Sequence, residues 1–202
     1  MMLHYSPASP YARKVLVCAV ELGLRDRIEV IPVNVSPTVP NPAVAAHNPL
    51  MKVPTLERDD GTPLFDSAVI CEYLDALGNG ALFPRAGEPR WRALREHALA
   101  DGIMDASLLL RYETFARPEP LRWGAWIDGQ CLKNAQALDY LDAQQHDPGR
   151  PVHIGDITVA CALGYLDLRF ADYKWREGRT NLARRFDTMA QRESFRSTRP
   201  AG

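Results

Sequence analysis

Asn48-Pro49-Leu50-Met51-Lys52-Val53-Pro54-Thr55-Leu56, followed by Phe65-Asp66-Ser67-Ala68-Val69-Ile70, decides how this chain folds. Thr55-Leu56-Glu57 and Pro63-Leu64-Phe65 flank Asp59-Asp60-Gly61, a turn signal between two short apolar runs, and read as a hairpin. Val53-Pro54 stands at the entry to its first strand, where a residue without an N–H is tolerated. Asp66-Ser67 offers short polar side chains to the free amides of a helix running from Ala68 to about Leu77. The stretch is therefore hairpin, cap, helix.

Toward the N-terminus, Met2–Tyr5 reads as a strand and Ser6-Pro7-Ala8-Ser9 as a turn. Pro10 opens a helix, Tyr11 to about Leu22, and Gly23 closes it, with proline just inside the start and glycine just past the end. Ile28–Val33 is rich in β-branched residues and reads as a strand. Pro37, Pro40 and Pro42 interrupt the chain before a short helix around Ala43–Ala46. The order to residue 77 is βαβα, then ββα.

Toward the C-terminus, residues 78–89 are rich in glycine and proline and read as a linker. Beyond them only helical periodicity is found, in segments near 90–114, 121–145, 154–170 and 181–191. The expected class is α/β plus all-α: a domain over 1–77, a linker over 78–89 and an all-helical domain over 90–202.

Composition sets the bounds. With 46% hydrophobic and 24% charged residues the chain can build a core. A formal net charge of −1 gives no electrostatic case for nucleic acid or an anionic membrane. The pair Arg184-Arg185 reads as part of a solvated helix face. No apolar run approaches the roughly 20 residues that span a bilayer, and the start lacks a signal-peptide pattern. Cys18, Cys71, Cys131 and Cys161 lie far apart in apolar helical patterns. They form no C-x-x-C pair, so no metal site is expected and a small buried thiol is the default for each. A reducing cytoplasm fits this usage.

Ser9-Pro10-Tyr11-Ala12 has the outline of a Cys-Pro-Tyr-Cys redox turn without its sulfurs. A helix N-terminus presents free amides and partial positive charge, which lowers the pKa of a thiol placed there. Here that thiol has to belong to a ligand, with Ser9 donating its hydroxyl proton to the sulfur. Moving a thiol from about 8.5 to about 6.5 takes roughly 2.7 kcal/mol. One charge-assisted hydrogen bond at about 1.5–3 kcal/mol plus a helix terminus at about 0.3–1 kcal/mol supplies it. The competing reading makes Ser9 an N-cap and Pro10 the first helical residue.

The 48–56 and 65–70 stretches closely resemble the N-P-x-x-K-V-P-x-L and D/E-S-x-x-I signatures of cytosolic glutathione transferases. Ser9-Pro10-Tyr11-Ala12-Arg13-Lys14-Val15 resembles the S-P-[FY]-x-R-K stretch of a bacterial, serine-type branch of that superfamily. Residues 100–106 and 160–166 are similar to helix segments of the same branch.

The resemblance implies a thioredoxin-like N-terminal domain and glutathione as co-substrate. Pro54 is then the cis proline, Val53 pairs its backbone with the cysteinyl unit, and Ser67 takes the γ-glutamyl carboxylate. Asp66, where the family more often has Glu, meets the γ-glutamyl ammonium, and Lys52 the glycyl carboxylate. Ser9 activates the thiol, in preference to Tyr5 or Ser6. Tyr112, Phe115 and Trp123 line the pocket for a small apolar electrophile; packing is their alternative role. Asp101 reaches the ligand ammonium of a neighbouring subunit or faces solvent. Val152-His153-Ile154-Gly155-Asp156-Ile157 stands where the family has its S/T-x-x-D capping box, with His153 replacing the hydroxyl residue.

The implied activity is a glutathione transferase acting in detoxification as a cytoplasmic homodimer. Isomerase, peroxidase or dehalogenase chemistry at the same site is the alternative, as is a non-enzymatic glutathione-binding module.

Overall fold

The computed structural model describes residues 1–147 and 149–200. The chain divides into two compact units: Met1–Arg90 together with the residues from Arg192 onward, and Trp91–Gln191.

In the first unit the elements are β1 (Met2–Tyr5), α1 (Pro10–Glu21), β2 (Glu29–Pro32), α2 (Pro42–Ala45), β3 (Thr55–Glu57), β4 (Pro63–Leu64) and α3 (Ser67–Leu77). The sheet order is β2-β1-β3-β4. β1 runs parallel to β2 through the α1 crossover and antiparallel to β3, which pairs antiparallel with β4. Leu3 and Leu56 face each other across β1 and β3 and are fully buried. Because side chains alternate along a strand, Met2, His4, Thr55 and Glu57 fall on the opposite face. α1 packs against α3, and the buried Ala12, Val15, Cys18, Ile70, Cys71 and Leu74 complete the core. The buried Asp75 secures the chain leaving α3, accepting from the Leu82 amide at 2.9 Å and the Phe83 amide at 3.2 Å.

In the second unit α4 (Gly87–Arg111) begins just ahead of the unit boundary and is followed by α5 (Gly124–Ala143), α6 (Ile154–Arg169) and α7 (Thr180–Ala190). Gly87 lies inside the stretch read as a linker. Pro89 does not prevent this, since a first-turn amide has no intrahelical acceptor to lose. α6 is buried at every residue from Ile154 to Leu166, as befits a helix apolar on all sides. No helix among the described residues is long and apolar enough to cross a membrane.

α6 starts on a complete capping box. His153 Nδ1 accepts from the Asp156 amide at 3.3 Å while Asp156 Oδ2 accepts from the His153 amide at 3.1 Å. An imidazole thus performs the hydroxyl's part, which requires it neutral. Burial pushes the His153 pKa below its ordinary value, against the pull of Asp156. Asp156 is also held by Arg150, at 2.7 and 2.8 Å, and by Arg185, at 2.8 Å. Arg185 pairs in turn with Glu96.

Two expectations need correction. Arg185 does not belong to a solvated face: it is 5% exposed and neutralises two buried carboxylates, and only Arg184 beside it is exposed. Periodicity cannot distinguish a solvated arginine from one whose partners lie on other helices. Cys131 is half-exposed, whereas the other three cysteines are buried. After α7 the chain returns to the first unit as α8 (Glu193–Arg196), which packs on α1. Arg192 grips Glu21 at 2.8 and 2.7 Å, Ser194 Oγ donates to Glu21 at 2.5 Å, and Arg13 donates to the Phe195 carbonyl at 3.2 Å.

Candidate functional site

Strand directions gather three loops at one end of the sheet. β1 ends at Tyr5 and leads into Ser6–Ser9. β3 is antiparallel to it, with Thr55 opposite His4, so Val53-Pro54 enters at that same end. β4 is antiparallel to β3, with Leu64 opposite Leu56, so Phe65, Asp66 and Ser67 leave there too. Residues 9, 53–54 and 66–67, far apart in sequence, therefore share one edge.

Ser9 is the N-cap of α1 and Pro10 its first residue. The cap and the functional reading are compatible. Ser9 Oγ accepts from the Ala12 amide at 3.2 Å. Acceptance uses a lone pair and leaves the O–H free to donate. Ser9 is half-buried at a positively polarised terminus. Tyr5 and Ser6 are half-buried nearby, but neither caps the helix; the Ser6 carbonyl closes the turn by accepting from the Ser9 amide at 2.9 Å.

The Val53–Pro54 peptide bond is cis. Among the described residues, no hydrogen bond engages the N–H or C=O of Val53, whereas β3 is fully laddered from Thr55. The loop carrying Val53 is held by Asn48, a residue to which the sequence reading gave no role. It is 2% exposed. Its Nδ2 donates to the Lys52 carbonyl at 3.2 Å and to Thr55 Oγ1 at 3.1 Å, and its Oδ1 accepts from the Leu50 amide at 3.0 Å. Met51 takes a left-handed φ of 53° inside this clamp. A buried asparagine between turn-forming residues was the available signal.

Asn48→Ala removes the acceptor of the Leu50 amide and one of the two donors to the Lys52 carbonyl, the Thr55 hydroxyl being the other, and is expected to cost the loop about 1–3 kcal/mol. Limited trypsinolysis followed by mass spectrometry checks this: cleavage after the exposed Lys52 should accelerate relative to other sites. An unchanged cleavage map would show that Asn48 does not hold the loop.

Asp66 is the N-cap of α3, its Oδ1 accepting from the Ala68 amide at 2.9 Å. Its side chain is exposed, with Oδ2 left for another donor, while Ser67 is 2% exposed as the first helical residue. The helix thus starts one residue earlier than the sequence reading has it.

In the second unit, Tyr112 and Phe115 lie on a wide turn that extends α4, and Trp123 is the N-cap of α5. Glu113 joins these segments, accepting from the Trp123 amide at 2.8 Å and from Arg117 Nε at 2.7 Å. Phe115 and Trp123 are 70% and 64% exposed, so core packing does not account for either ring. Arg111 covers the Phe115 ring at 3.6 Å and Trp126 stacks on Trp123 at 6.3 Å. Tyr112 is half-buried, which raises its pKa. Asp101 does not simply face solvent: it pairs with His97 at 3.1 Å.

Residues 8–77 match the model of the glutathione S-transferase N-terminal domain, and residues 124–184 that of its C-terminal domain. The chain is 34% identical to the uncharacterised GST-like protein YibF of Escherichia coli, over 99% of this chain and 98% of that one. A glutathione transferase family member from Pseudomonas fluorescens Pf-5, solved with bound glutathione, superposes with a TM-score of 0.94. It is 44% identical, with 100% of this chain and 99% of that chain covered. Elongation factor 1-gamma of Danio rerio is 24% identical over 96% of this chain and 45% of its own length. Three loops gathered at one sheet edge, a helical second unit and agreement along the whole length lead to one conclusion: the chain belongs to the glutathione S-transferase superfamily.

Proposed function

We propose that the protein binds glutathione at the sheet edge carrying Ser9, Val53-Pro54 and Asp66-Ser67, and activates its thiolate for attack on a small apolar electrophile. The observation that carries this reading is the Ser9 hydroxyl, at a helix N-terminus, with its acceptor function engaged by Ala12 and its proton free. The serine-type assignment of the catalytic residue rests on it. Val53 contributes an unpaired N–H and C=O to the cysteinyl unit, a one-residue strand addition. Ser67, at the start of α3, takes the γ-glutamyl carboxylate, as helix N-termini favour anions. Asp66 meets the ammonium and Lys52 the glycyl carboxylate. The solved relative with bound glutathione supports the ligand. The exposed rings of Phe115 and Trp123, with Tyr112, support an apolar second substrate. We assign the active form to a homodimer.

The test is Ser9→Ala. The ultraviolet absorbance of the bound thiolate, titrated with pH, should move up by about 1–2 units, the worth of one charge-assisted hydrogen bond. kcat/KM near neutrality should fall by about 10–100-fold with little change in KM for glutathione. Loss of the cap, about 1 kcal/mol, is read separately in urea. An unchanged thiol pKa removes Ser9 from the role.

Binding without turnover is the second reading, supported by the likeness to elongation factor 1-gamma. Retention on immobilised glutathione, with no turnover of chlorinated aromatics, epoxides or hydroperoxides, would favour it.

A further inference from the structure

The first unit gathers His4, His47 and Glu57 away from the residues assigned above. β1 and β3 bring two of them together. Met2 pairs with Glu57 and His4 with Thr55, so His4 and Glu57 are diagonal neighbours on the sheet face opposite Leu3 and Leu56. His47, just past α2, completes the group. Glu57 Oε2 lies 3.2 Å from His47 Nδ1 and 4.0 Å from His4 Nε2. The two imidazoles stack with centroids 4.7 Å apart. One donor atom from each residue falls within 4.8 Å of the others. His4 Nε2 is buried and, among the described residues, has no hydrogen-bond partner. Access remains from the His47 side, where the side chain is 34% exposed, against 12% for His4.

We propose that His4 Nε2, His47 Nδ1 and Glu57 Oε2 form a three-ligand site for a divalent first-row transition cation, zinc foremost. Two imidazoles and a carboxylate are a recurrent zinc donor set, and with three protein ligands the fourth position stays open to water. Metal–ligand bonds of about 2.0–2.1 Å put tetrahedral donors roughly 3.3 Å apart. His47 and Glu57 already meet that spacing, and His4, 4.0 Å from the Glu57 oxygen and within 4.8 Å of the His47 donor, closes the remainder by side-chain rotation. The cation would also satisfy the orphaned His4 nitrogen.

A second group in the chain has similar composition, Glu96, His153 and Asp156, and shows what excludes a metal. There the guanidiniums of Arg150 and Arg185 already sit on the carboxylates, and His153 Nδ1 is engaged by the Asp156 amide. The protein supplies its own cations in that place. Nothing in the linear sequence marks the first group, because strand register and the end of α2 assemble it.

The chain, stripped with a chelator, is titrated with Co2+ by calorimetry and visible spectroscopy, then with Zn2+ in competition. One equivalent should bind, with the intense d–d bands of a low-coordinate cobalt site, and zinc should displace it. His47→Gln and Glu57→Gln should each weaken affinity by at least the roughly 10–100-fold that loss of even an outer-shell partner costs. His4→Gln serves if either variant fails to fold, as judged by circular dichroism. His146→Gln, in the second unit, should leave binding unchanged. Absence of heat and bands overturns the proposal, as does wild-type affinity in His47→Gln. No glutathione is present, so the outcome is independent of the proposed transferase activity.

Discussion

Asp156→Ala is expected to destabilise the helical unit by about 3–5 kcal/mol, the loss seen when one partner leaves a buried ion pair. The residue is 1% exposed and takes hydrogen bonds from Arg150, Arg185 and the His153 amide. Alanine removes all of them at once. Arg185, itself 5% exposed, keeps only Glu96, and the start of α6 loses half of its capping box. For a chain of this size the corresponding fall in Tm is roughly 6–20 °C. Urea denaturation is the check, and a loss below about 1 kcal/mol would mean that the network relaxes around the gap.

The acid limb of stability follows from the same groups. Burial would raise the Asp156 pKa, but the Arg150 and Arg185 guanidiniums hold it well below the usual carboxylate range. Its contribution is therefore complete above the unfolded value of about 3.9 and is lost as pH falls below it. His153 and His146 are both depressed by burial. Below about 6.5 the unfolded chain takes up protons that these folded imidazoles refuse, so stability also declines with falling pH there. Wild type should lose stability in two stages, beginning near pH 6.5 and again near pH 4. Asp156→Ala should lose its share of the second stage, leaving that of Glu21 and Glu96, whose pKa values are also lowered, and retain the first. A profile flat from pH 7 to 5 would contradict the imidazole assignment.

Trp175→Ala is expected to cost about 3–5 kcal/mol through the cavity left by a large buried side chain. Trp175 is 1% exposed, packs edge-on against Phe186 at 5.6 Å and donates from Nε1 to Asp167 at 2.7 Å. Trp175→Phe keeps most of the volume and loses the hydrogen bond, so its cost should be nearer 1–2 kcal/mol. The other tryptophans, Trp91, Trp123 and Trp126, are 62%, 64% and 40% exposed. Intrinsic fluorescence should consequently shift to the red in Trp175→Phe. An unshifted spectrum would place the blue component elsewhere.

The order of strands and helices was legible because each carried a local signature. Pro10 and Gly23 bracket α1, Asp60-Gly61 turns the hairpin, and apolar spacing marks α4 to α7. Ser9 and Asp66 were legible as caps for the same reason. Legibility stopped where a role depends on partners distant in sequence. Arg185 looked solvated because Glu96 and Asp156 come from other helices. α8 is one turn long, too short for periodicity to detect, and its attachment to Glu21 and Arg13 lies in tertiary structure alone. The His153 cap escaped the S/T-x-x-D pattern because a neutral imidazole nitrogen accepts an amide as a hydroxyl does. His4, His47 and Glu57 meet only once strand register is fixed.

The bonds that tie Glu21 to Arg192 and Ser194, and Arg13 to Phe195, carry a consequence for biosynthesis. α1 leaves the ribosome before the helical stretch does, yet these fastenings do not exist until Phe195 has left the exit tunnel. The sheet-bearing body must wait, incompletely tied, while the whole helical stretch is translated. A nascent chain arrested before that point would leave the Glu21 carboxylate and the Arg13 guanidinium seeking water or a chaperone.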